Sequence, residues 1–259
     1  YPDGSVGKAG GLVVKNVSGF DMMRIHYGAL GTLGVITSAN FKVLPVPRSE
    51  FTVNHPIADI ADLADLLPRL RLPSVRPVSL VVGREANQWL LAARYEGRRS
   101  GLEAVESAIA GFLDLSGKLS DAASSHYWQR LMDARAFTET MEVRLQLRSL
   151  PTEIVSITGL AIEIAEHAGL RLSRVEIEPG NGLATMSWPH RDAASALVIG
   201  GIREQLRRAT VTVQAAPDEV KRSIDVWGDE PEAIDLMRRL KQEFDPNRVL
   251  NPGRFAGRI

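Results

Sequence analysis

The order strand, helix, strand, strand, helix can be read twice along this chain, and that repetition limits the fold more than any other feature. In the first pass residues 51–53 read as a short strand and 57–70 as a helix, with Ile57, Ile60, Leu63, Leu66, Leu67 and Leu70 at the spacing of one apolar face. Strands at 75–82 and 88–95 follow across the turn 83–87. A helix at 100–115 then carries Leu102, Val105, Ile109, Phe112 and Leu113 on one side. The second pass has the alternating strand 143–147 and a helix at 151–168, opened by Pro151 and closed by Gly169. Strands at 170–177 and 183–188 flank the turn 178–182, and a helix covers 192–207. The repeated helices start at 57 and 151, an offset of about 94 residues. A duplicated unit of this order predicts an antiparallel sheet with helices on one face, an α+β architecture.

A last strand at 209–215 and a helix at 231–244 complete the pattern. Residues 116–139 are less regular, with a short helix at 125–133. Leu119, Tyr127, Trp128, Leu131 and Phe137 in that segment are more apolar than a solvated loop requires. Two readings are open: a face that receives a partner, or residues packed under the chain's own helices.

The 259 residues are enough for one large or two modest domains, and Lys plus Arg balance Asp plus Glu at 31 each. Nothing in that balance points to nucleic acid or another polyanion, and no apolar run has the length of a membrane span. There is no cysteine, which excludes disulfides, a cysteine-ligated iron–sulfur cluster and cysteinyl flavin attachment within this chain; a cytoplasmic setting fits. The histidines His26, His55, His126, His167 and His190 are dispersed with no metal-ligand spacing, so no metal site is expected. The chain begins at Tyr1 with what reads as a hairpin turn and a following strand that lacks a partner. The expectation is a piece of a longer protein.

Ahead of the repeats, Gly28, Gly31 and Gly34 stand directly before the β-prone run 35–44, which ends at Pro45 and Pro47 and reads as one strand. Such glycines allow positive φ and close approach, and a turn of this kind can expose N–H groups to phosphate. They serve equally as an ordinary turn. Lys15, Asn16, Asp21 and Arg24 form a polar group beside it, with an Asp21–Arg24 contact as the expected use.

Residues 15–21, Arg24, 28–37 and 42–45 resemble the last part of the FAD-binding domain of the p-cresol methylhydroxylase and vanillyl-alcohol oxidase superfamily. Residues 244–255, FDPNRVLNPGRF, are similar to the closing motif of the same FAD-linked oxidases, and 224–228, IDVWG, resemble its glycolate oxidase branch. The resemblance implies a PCMH-type FAD-binding domain, of which 1–47 is the C-terminal piece. It also implies an α+β cap domain at 48–220 and a tail at 221–259 that returns to the FAD domain. FAD is the implied cofactor, contacted by Leu30, Gly31, Thr32, Leu33, Gly34, Val35 and Ile36. Asn251 is a further contact, through an amide able to donate and accept; an Asn-Pro-Gly sequence is also an ordinary turn former.

The implied activity is oxidation of a 2-hydroxy acid, with electrons passed through the flavin. The implied partners are a second flavoprotein subunit and an iron–sulfur subunit, with the whole peripheral to the inner membrane. Two departures count against a complete site. The HxGDGNxH motif of related D-2-hydroxyacid dehydrogenases is missing, which leaves no visible base, and so is the upstream pyrophosphate-binding loop. The alternative reading is a non-catalytic structural or assembly module that binds no flavin without that region.

Overall fold

The computed structural model describes residues 1–11, 22–85, 88–136, 142–190 and 194–259. Its elements in order are α1 (Met22–His26), β1 (Ser49–Ile57), α2 (Leu63–Leu70), β2 (Ser79–Glu85), β3 (Gln88–Gly97), α3 (Arg99–Ile109), β4 (Leu119–Ser120) and α4 (Ala122–Arg135). After these come β5 (Glu142–Arg148), α5 (Ile154–His167), β6 (Arg174–Glu178), β7 (Leu183–Pro189), α6 (Ala194–Gln205), β8 (Thr210–Ala215), α7 (Asp218–Ser223) and α8 (Ile234–Phe244). They form two compact units. One comprises 1–44 with 227–259, the other 45–226.

The larger unit is built on one antiparallel sheet of order β4-β1-β3-β2-β6-β7-β5-β8. Both repeats are visible in that order: β1-β3-β2 in one half and, mirrored, β6-β7-β5 in the other, joined where Val82 of β2 pairs with Ile177 of β6. β1 starts at Ser49 and β5 at Glu142, an offset of 93 residues. Alternation fixes which face is buried. In β5, Val143, Leu145 and Leu147 are buried and the residues between them are not, so a one-residue slip would expose the apolar set. Those side chains pack with Met186 and Trp188 of β7, Ile154 of α5 and Ile199 and Ile202 of α6. Val53, Leu91, Leu63 and Ile109 do the same in the first half. Burial of each such side chain stabilises the fold by about 1.5–3 kcal/mol before conformational entropy is subtracted.

α4, absent from the repeat, packs on the opposite face. Trp128 is buried there against Val81 and Ala92, with Tyr127 and Leu131 beside it. Its indole Nε1 donates to Thr52 Oγ1 at 2.7 Å, and Thr52 and Ser124 hydroxyls are 2.7 Å apart. An anchored indole is core, so of the two readings of this segment packing holds for Tyr127, Trp128 and Leu131. Phe137 lies outside the described residues.

Four sequence expectations are corrected. Residues 35–44 are not a strand: they form no ladder with any described residue, and Val35, Ile36, Phe41, Val43 and Leu44 are exposed. β-propensity becomes a strand only when a partner supplies the hydrogen bonds and covers a face. Ile57 belongs to β1, opposite Trp89, and not to the next helix. Pro56 is tolerated just before it because β4 pairs only with residues 51 and 52, which leaves that side of β1 open. The helix assigned to 125–133 extends over Ala122–Arg135, and the strand assigned to 75–82 begins only at Ser79, after Pro77. The strand expected after the first turn, and Lys15, Asn16 and Asp21, lie outside the described residues.

Candidate functional site

A glycine-rich turn of backbone in the smaller unit, carrying Gly28, Gly31 and Gly34, meets the tail. After α1, Ala29 N–H donates to His26 O and Thr32 N–H to Ala29 O at 3.0 Å. Gly28, Leu30 and Gly31 have φ of 78°, 52° and 72°. Leu30 accepts the left-handed conformation at a cost that glycine does not bear. The tail turn is similar, with Arg248 and Asn251 at φ 52° and 41°. Asn251 Nδ2 donates to Leu30 O at 2.8 Å, closing 221 residues of sequence. A Cβ on Gly31 would stand 2.8 Å from that same Nδ2, so glycine here is required twice over.

The two turns enclose a cavity of about 400 Å³ lined by His26, Ala29, Gly31, Gly34, Val35, Ile36, Val249, Leu250 and Asn251. The structure thus brings Gly31, Gly34, Val35, Ile36 and Asn251 together at one surface. Leu30 contributes its carbonyl to Asn251. Thr32 and Leu33 are buried beneath the wall. The Thr32 hydroxyl donates to Ala29 O at 2.7 Å and is spent inside the turn. His26, which sequence reasoning passed over, lines the cavity and stands edge-on to Phe244 of α8, centroids 5.7 Å apart.

Sequence reasoning also missed the charged pair behind the wall. Lys241 and Asp245 lie one turn apart at the end of α8, 2% and 0% exposed. Lys241 Nζ donates to Asp245 Oδ2 at 2.6 Å, Thr32 O at 2.8 Å and Leu250 O at 2.7 Å. Asp245 also accepts from Val249 N–H at 3.0 Å and Leu250 N–H at 2.8 Å. Burial pushes the Asp245 carboxyl up, but the Lys241 hydrogen bond, the two backbone donors and the Lys241 charge outweigh it and hold it below the usual carboxylate range.

The walls suit part of a flavin nucleotide. Glycines and the side chains of Val35, Ile36 and Leu250 offer a flat apolar surface, and Asn251 keeps a carbonyl oxygen at its rim. Among the described residues no Lys or Arg lines the cavity, and the Lys241 ammonium behind it is consumed by its three acceptors. A pyrophosphate would therefore find no side-chain cation among the described residues of this lining. Among the described residues no group of three His, Cys, Asp or Glu side chains is placed to hold a metal ion, and no helix is long and apolar enough to cross a membrane.

Residues 227–255 match the family of FAD linked oxidases, C-terminal domain. The chain is 24% identical to glycolate oxidase subunit GlcE of Escherichia coli, covering 96% of this chain and 61% of that protein. It is 24% identical to glycolate oxidase subunit GlcD of Bacillus subtilis, over 98% and 61%. With a D-lactate dehydrogenase of Anaerostipes hadrus the identity is 32%, over 100% of this chain and 63% of the relative. The chain thus spans a little over three-fifths of these relatives. Among solved structures it shares the fold of an alkyldihydroxyacetonephosphate synthase, with 17% identity and a TM-score of 0.57 over 93% of this chain and 50% of that one. A xylooligosaccharide oxidase from Myceliophthora thermophila gives 16% and 0.50 over 78% and 54%.

Proposed function

We propose that this chain, a relative of FAD-linked oxidoreductases, is the C-terminal portion of one and supplies part of its flavin site and its α+β cap. The observation that carries this is the meeting of 30–36 with 249–251 around one cavity, because these are the two segments whose sequences resemble the superfamily. Cap and tail then correspond to 48–220 and 221–259, with 1–47 as the end of the FAD-binding domain. Bound FAD supplies two-electron oxidation, here of a small 2-hydroxy acid. The chain's own part is to bind and orient: Gly31 and Gly34 admit the group closely, Val35, Ile36 and Leu250 exclude water from one side, and Asn251 offers its free carbonyl oxygen.

The relatives named as glycolate oxidase subunits support a place in a multi-subunit complex. This chain carries neither the histidine motif nor a cysteine. It would pass electrons between a second flavoprotein subunit that holds the base and an iron–sulfur subunit. The test is to express the chain with the region that precedes it in its parent: a yellow protein with near-stoichiometric flavin absorbance is expected, and a colourless, well-folded product overturns the reading.

A second reading rests on the uncharged lining of the cavity. With no Lys or Arg among the described lining residues and no upstream pyrophosphate-binding loop in the sequence, chain 1–259 by itself acts as a structural module and purifies without flavin. FAD found in the purified 1–259 chain would refute that.

A further inference from the structure

We infer that Lys241 is the positioning residue of this cavity: its ammonium, and not the packing of the two turns, sets the distance between the walls. The inference rests on the flavin reading. Lys241 has three hydrogens to donate, and each goes to a different piece of structure, Thr32 O, Leu250 O and Asp245 Oδ2. Thr32 is flanked by Gly31 on one wall, and Leu250 by Asn251 on the other. The two carbonyl oxygens would repel one another without a cation between them. Asp245 completes the clamp, because its oxygens take the N–H groups of Val249 and Leu250 while paired to Lys241.

One ion pair therefore fixes four backbone groups on both sides of the cavity. A buried charge is an expensive way to join two turns, and well-packed apolar side chains serve stability as well or better. What a tetrahedral ammonium adds is direction: three acceptors must lie at fixed angles around one atom. Lys241 is 2% exposed and does not line the cavity, so its influence on a bound group passes through Gly31, Gly34 and Asn251.

The test separates positioning from stability. Lys241→Met leaves the Asp245 charge buried without its partner and is expected to lower the melting temperature. The double variant Lys241→Met, Asp245→Asn removes both charges and keeps one of the two oxygens that accept from Val249 and Leu250 N–H, so it recovers part of the loss. In the complete oxidoreductase, FAD titrated into apoprotein is followed by quenching of flavin fluorescence. In the separate 1–259 chain, hydrogen exchange is followed at 30–36 and 249–252. The double variant is expected to bind FAD roughly tenfold to a hundredfold more weakly, the range over which supporting residues act on the groups they orient, at a temperature where its melting curve shows it fully folded. Its amides at 30–36 exchange faster even with no flavin present. Wild-type affinity and wild-type exchange in the double variant would overturn the inference. If the complete wild type binds no FAD while exchange at 30–36 still depends on Lys241, the clamp stands and the cofactor reading falls.

Discussion

Replacing Gly31 with alanine tests the meeting of the two turns most directly. At φ 72° an alanine Cβ strains against its own carbonyl, which costs about 1–2 kcal/mol. That Cβ also stands 2.8 Å from Asn251 Nδ2, too close for the bond from Nδ2 to Leu30 O to persist. Loss of one such hydrogen bond adds about 0.5–1.5 kcal/mol, so a total of about 1.5–3.5 kcal/mol is expected. Gly28 provides the control. Its φ is 78°, but nothing lies within 4 Å of a Cβ built there, so Gly28→Ala incurs only the backbone strain. Urea denaturation of both variants measures the difference directly, because the backbone term cancels. An Asn251→Ala background should then erase the excess cost of Gly31→Ala, since there is no longer an amide to displace. Equal destabilisation by the two glycine variants, or an excess that survives in the Asn251→Ala background, would refute the claim that Asn251 closes on Gly31.

Trp128→Phe removes the donor to Thr52 and part of a buried ring, and should lower stability by about 1–3 kcal/mol; an unchanged melting temperature would return this segment to the status of a partner face. Tyr95 is 3% exposed and stacks on Phe51 with centroids 4.9 Å apart, and its hydroxyl has no hydrogen-bond partner among the described residues. Tyr95→Phe should therefore raise stability by up to about 1 kcal/mol, and a loss of that size would reveal a partner for the hydroxyl. Asp245 sets an acid limit. Its folded pKa lies below the ordinary 3.8, so its contribution is complete above that value and is lost as the pH falls through the folded value. The wild type should lose more stability than Lys241→Met, Asp245→Asn on acidification from about pH 5 to about pH 3, and parallel losses in chemical denaturation would contradict this.

How much was legible in the sequence follows from where each signal resides. The repeat was readable because it lies in local patterning: Val143, Leu145 and Leu147 alternate, and the α5 sequence has a buried face at helical spacing whatever else the chain does. Element ends moved by a few residues, as with the helix placed at 151–168 that forms over Ile154–His167. The short helices α1 and α7 were missed because five or six residues carry almost no periodic signal. The extent of α4 was underestimated for a related reason, since only Ser124 and Trp128 along it are buried.

The site divides along the same line. Gly31, Gly34 and Asn251 were visible because glycines and an Asn-Pro-Gly turn are backbone statements, and backbone demands are written locally. Lys241 and Asp245 were not, because a lysine one turn before an aspartate reads as an exposed helix pair wherever it stands. Their burial depends on Thr32, 209 residues away. The run 35–44 failed in the opposite sense: its propensity was read correctly, yet a strand is a property of two segments and not of one. Its exposed Phe41, Val43 and Leu44 need an edge that no described residue of this chain provides. A parent region that completes the flavin site should therefore protect the amides of 35–44 from hydrogen exchange at the same time as the protein acquires its colour.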